Sequence, residues 1–176
     1  MKSKCHLISW VMPLAMLGNI PAEAAVIFTE SFGTVSGTTL IAAHETANGF
    51  DNDTLTFSGT GDLRDTTASS GYSGASGAAN VYLTTTGTPS VKIAGISTLG
   101  YTAGSIGISF GAYKAASAAD MTTLVFEYST NDSDWTSIGI PAQTTGTGTA
   151  VWRAVSMSDT IIPISSTLSL RWTNSD

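Results

Sequence analysis

Leu168-Ser169-Leu170-Arg171-Trp172-Thr173 alternates apolar and polar side chains without a break. A β-strand sends successive side chains to opposite faces, so Leu168, Leu170 and Trp172 share one side and Ser169, Arg171 and Thr173 the other. The first set belongs to a core, the second to solvent. Upstream, Ile106, Ile108 and Phe110 alternate with Gly107, Ser109 and Gly111, and Leu124 and Phe126 with Val125 and Glu127. From Val26 onward apolar residues recur with period two and seldom with period 3.6, the mark of half-buried strands. This predicts strands at residues 26–32, 54–58, 80–84, 90–96, 105–114, 122–129, 136–140, 149–157 and 167–173, with one helical turn at 115–120. That many strands in one domain predict an all-β fold, a two-sheet antiparallel β-sandwich. Gly107 and Gly111 leave a bare strip of backbone that admits a close neighbour or marks a bend. Turn-rich stretches at 69–77, 131–134 and 144–148 separate the strands. The first of these, with Gly71, Gly74 and Gly77, is read as a flexible loop, since neither its spacing nor the strand after it suits a dinucleotide.

The N-terminus reads differently. Lys2 and Lys4 precede an apolar stretch from Leu7 to about Ile20, and Ala22-Glu23-Ala24 supplies the small residues a signal peptidase needs. Residues 1–24 are therefore expected to be a signal peptide cleaved before Ala25, and residues 25–176 one exported domain. Pro13, Gly18 and Asn19 break the apolar run short of the ~20 residues that span a bilayer, which argues against an anchor and for no transmembrane segment in the mature chain. Cys5 lies in the segment to be removed, so the remaining domain has no cysteine and relies on core burial, sheet hydrogen bonds and bound ions. Removing Lys2, Lys4 and Glu23 leaves five cations against twelve carboxylates. So acidic a domain lacks the basic stripe that nucleic acid requires, and no nucleic-acid partner is expected. The apolar content is too high for disorder.

Several segments, in order along the mature chain, carry a resemblance. They are Phe28-Thr29-Glu30-Ser31-Phe32, residues 65–77 with Asn80-Val81, Ile108-Ser109-Phe110-Gly111-Ala112-Tyr113-Lys114, Phe126-Glu127-Tyr128-Ser129-Thr130 and Leu170-Arg171-Trp172-Thr173-Asn174. Together they resemble the jelly-roll β-sandwich domains of secreted bacterial proteins, which occur alone or appended to extracellular nucleases, peptidases and adhesins. The resemblance implies a jelly-roll topology and a non-catalytic accessory or adhesin-type role at the cell surface or in the medium. Its partners would be an extracellular glycan or another cell-surface component. Such domains usually carry Asp-Gly after the hairpin strand; here Asn131-Asp132-Ser133-Asp134 must place an Asx residue in any left-handed position. They also end with a further acidic strand, so the expectation is a sandwich lacking its last strand.

The residues available for chemistry are few. His44 is the one histidine after the signal and no cysteine remains, so serine triads, cysteine nucleophiles and His/Cys zinc sites each lack a partner. His44 is read as a solvated loop residue beside Glu45. Glycoside hydrolysis needs only two acids, but jelly-roll hydrolases resemble one another in a strand with E-x-D-x-x-E, and residues 127–132 do not match it. Glu127 is instead expected to pair across strands with Arg153 or Arg171. The domain is thus read as no enzyme. The carboxylates of Glu30, Glu45, Asp51, Asp53, Asp62 and Asp65 crowd the N-terminal third, and hard oxygens attract calcium. Glu30 is the metal candidate, because the resemblance places an acidic calcium ligand on the first strand. Asp51-Asn52-Asp53 begins like a calcium loop but lacks the later Gly and Glu of an EF-hand. Among the aromatics, Trp172 is core by alternation, and Trp135 at a hairpin end is the candidate for stacking on a sugar.

Overall fold

The computed structural model of the chain describes residues 25–84, 86–114, 123–141, 151–160 and 162–175. The expected signal and the 115–120 turn fall outside them. The described elements are β1 (Thr38–Leu40), α1 (Ile41–Thr46), β2 (Thr56–Gly59), β3 (Asp62–Arg64), β4 (Asn80–Tyr82), β5 (Ser90–Ile96), β6 (Ile106–Lys114), β7 (Leu124–Ser129), β8 (Thr136–Ile138), β9 (Val151–Thr160) and β10 (Leu168–Asn174). They form three antiparallel sheets, ordered β1-β3-β4, β2-β5-β10-β7-β8 and β6-β9. The protein is all-β, and no described helix is long and apolar enough to cross a membrane.

Alternation does in the structure what it does on paper. Phe57, Ile93, Leu170 and Tyr128 lie in register across four strands of the five-stranded sheet, and Val91, Trp172, Phe126 and Ile138 form the next inward row. Both rows face one core, which also takes Ile106 and Met157 from β6 and β9 and Leu63 from β3. Opposite the large sheet there are two sheets rather than one. The strands of the smaller one are three residues each, too short to extend the ladder of the longer pair.

The expected first strand, 26–32, is not a strand. At its end the amides go to side-chain oxygens instead of to a neighbouring strand: Ser31 N–H donates to Asp51 Oδ2 (2.8 Å), Phe32 N–H to Glu30 Oε1 (2.7 Å) and, just beyond, Gly33 N–H to Ser31 Oγ (3.3 Å). Phe32 and Gly33 then adopt positive φ, which turns the chain out of an extended path.

His44 is not solvated. It lies in the six-residue helix α1, only 6 % exposed, with its ring edge-on to Phe50 at 4.7 Å. Ile41 and His44, three apart, present the one buried stripe of this helix. Gly49 is required beside it, because any Cβ there would collide with the imidazole. The bare strip on β6 has a similar use: the Tyr72 ring occupies the space a Cβ on Gly111 would fill. The 69–77 loop that carries Tyr72 is closed on itself by Ser69 Oγ to Ser76 Oγ (2.9 Å) and by Gly77 N–H to the Ser69 carbonyl (3.1 Å).

Candidate functional site

The outward face of the five-stranded sheet is polar. Ser58, Lys92, Arg171, Glu127 and Ser137 lie in register across all five strands. One step along, Ser90, Thr173 and Val125 form a second row on the same face. Between these rows runs an open trough of about 370 Å³, lined by Thr88, Ser90, Val125, Glu127, Arg171 and Thr173. That volume falls within the ~300–1,000 Å³ of small-molecule sites, but its lining is hydroxyls and a charge pair where such sites are mostly apolar.

Two ion pairs organise the face. Arg171 gives both Nε (2.9 Å) and Nη2 (2.7 Å) to Glu127 Oε2, so of the two partners expected for Glu127 the structure selects Arg171. Ser137 Oγ donates to the other oxygen, Oε1, at the long distance of 3.4 Å. The Arg171 guanidinium also lies 3.9 Å from the centre of the Trp135 ring. Trp135 thus stands on the outward face, as a sugar contact must, but with the cation seated on its ring. Lys92 Nζ meets Asp132 Oδ2 at 3.2 Å. Asp132 has φ 59°, the left-handed geometry expected of an Asx residue in this turn, and so hangs over the sheet. A hydrogen bond from Ser169, followed by Lys92, holds its carboxyl below the usual carboxylate range. This turn also buries Ser169 to 2 % exposure, so the solvent face of β10 begins only at Arg171.

Glu30 takes no part in the trough. Its carboxylate receives Phe32 N–H and Asp51 N–H (3.0 Å to Oε2), while Asp51 returns a carboxylate oxygen to Ser31 N–H. The two acids clamp the N-terminal segment to the loop after α1. Calcium takes six to eight oxygens. Glu30 and Asp51 spend carboxylate oxygens on backbone amides, and no group of three or more His, Cys, Asp or Glu that could hold a metal occurs among the described residues. Burial is the largest influence on Glu30 and pushes its pKa up, against the two amide hydrogen bonds that lower it. The folded protein therefore holds this proton more tightly than the unfolded chain. Its contribution to stability is fully present below the ordinary glutamate pKa and is lost as pH rises through the raised one. Glu30→Gln is expected to remove that pH dependence and, by weakening the clamp, to cost about 1–2 kcal/mol. Urea melts across the acid range check it. The loss should be equal in calcium and in chelator; a loss confined to calcium solutions would instead place the ion at Glu30.

Sequence reasoning named none of Lys92, Asp132, Thr88, Ser90 and Thr173 as a site residue, although it put Thr173 on the solvent face and Asp132 in a turn that needs a left-handed Asx residue. Parity marks Thr173, Ser90 and Lys92 as outward-facing once their strands are known, but only the register brings them beside Glu127. Comparison with protein-family models, with curated proteins and with solved structures gives no match.

Proposed function

We propose that this is a non-catalytic module of a secreted or cell-surface protein that binds glycan through the outward face of its five-stranded sheet. The observation that carries this reading is the open trough on that face, lined by the hydroxyls of Thr88, Ser90 and Thr173, by Val125 and by the Glu127–Arg171 pair, whose guanidinium also lies on Trp135. Sugars present neighbouring hydroxyls, and such a lining offers donors and acceptors to match them. The non-catalytic part is supported by the state of Glu127, whose Oε2 is held by Arg171, and by the lack of a second carboxylate in the lining. Glycoside hydrolysis asks for a pair. Export through a signal ending at Ala24 and a jelly-roll topology belong to the same proposal, on the sequence patterns given above.

A glycan array tests it. The wild-type domain is expected to bind a subset of glycans, and Thr173→Trp, which fills the trough from its floor, to weaken that binding by about tenfold or more, ~1.4 kcal/mol. Binding to no glycan would support a structural adhesin module without a small ligand. Turnover of any polysaccharide, lost in Glu127→Gln, would make the domain a glycosidase.

A further inference from the structure

The cations of this face do not stand free. Arg171 is committed to Glu127 through two of its five N–H donors, and Lys92 reaches past β10 to Asp132. Each positive charge above the sheet is thus matched by a carboxylate within hydrogen-bond distance. A ligand entering the trough meets paired charge, not a cationic field. The Glu127–Arg171 pair still has unused capacity on the trough side: Oε1 is held only by the 3.4 Å contact from Ser137, and three guanidinium N–H groups remain beyond those given to Glu127. A carboxylate oxygen and guanidinium donors side by side suit two adjacent hydroxyls, one donating and one accepting.

We infer that the trough selects an uncharged stretch of glycan, gripping a vicinal diol between Glu127 and Arg171, and that the Arg171–Glu127 pair excludes acidic glycans. This rests on the glycan-binding reading. A uronate or sulfate in the trough would face Glu127 and would have to displace it to reach Arg171. Like charges so placed oppose binding, and breaking the pair strands a carboxylate only 16 % exposed.

The test uses the neutral oligosaccharide that scores highest on the array and the same chain with its primary hydroxymethyl groups oxidised to carboxylates. In titration calorimetry the oxidised chain is expected to bind about tenfold more weakly or worse, and the neutral one to change little between about 50 mM and about 500 mM salt. Glu127→Gln, which removes the negative charge from the lining and leaves Arg171 unneutralised, is expected to narrow the gap several-fold. An oxidised chain that binds as well as or better than the neutral one overturns the inference and leaves glycan binding intact. A gap unchanged in Glu127→Gln overturns the role given to the Arg171–Glu127 pair. Failure of every glycan on the array removes the underlying reading and this one with it.

Discussion

Phe126→Ala is expected to destabilise the domain by about 3–5 kcal/mol, the cost of emptying an aromatic site in a core that cannot close over it. Phe126 is wholly buried, sits opposite Trp172 on β10 and Ile138 on β8, and lies 4.7 Å from the Trp172 ring and 6.3 Å from Phe110 on β6. It therefore joins three strands of one sheet to the sheet across the core. A typical domain has only ~5–15 kcal/mol to lose, so this one residue accounts for a large part of it. Denaturant melts followed by tryptophan fluorescence measure the effect, since Trp172 reports on the same contact. A cost below about 1 kcal/mol would mean that the two sheets are not joined at Phe126. Phe126→Leu, which keeps most of the volume, should lose clearly less.

The large sheet was legible because its strands obey one rule. In β10 the apolar residues alternate cleanly, in β5 they do so from Val91 to Ile93 before an irregularity shifts the phase to Ile96, and residues 90–96 and 168–174 form strands almost as read. What escaped obeys no period. β1 and β3 are three residues long, shorter than the window in which alternation can be seen, and α1 shows its buried face through only Ile41 and His44. Residues 26–32 have the composition of a strand, but Ser31 N–H is diverted to Asp51, 20 residues on, and Phe32 N–H to Glu30. The site divides along the same line. The cross-strand partner of Glu127 was readable to within two cations, since parity puts Arg171 on the solvent face. The Lys92–Asp132 pair spans 40 residues and depends on β10 lying between its partners, which no local pattern in the sequence records.

The register also sets a problem at the centre of the face, and its solution makes Arg171 the most sensitive residue outside the core. Arg171 stands directly opposite Lys92, and like charges facing each other across strands are unfavourable. Each is instead matched by a carboxylate, Arg171 by Glu127 on β7 and Lys92 by Asp132 in the β7–β8 turn. Arg171→Ala removes the cation from a Glu127 side chain only 16 % exposed and uncovers Trp135. A fully buried pair broken on one side costs about 3–5 kcal/mol; with the Arg171 side chain 30 % exposed, about 2–3 kcal/mol is expected here, together with a loss of glycan affinity of about tenfold or more. Arg171→Lys should not restore binding, because an ammonium supplies neither the fork that meets Glu127 nor the flat surface that lies on Trp135. Most of the stability cost comes from the stranded carboxylate rather than from a lost attraction. Adding Glu127→Gln to Arg171→Ala is therefore expected to recover about half of the stability while recovering none of the binding, a coupling that a double-mutant cycle reads directly. If the double variant is instead as unstable as the sum of the two single variants, Glu127 and Arg171 act independently, and the pair is not what shapes the trough.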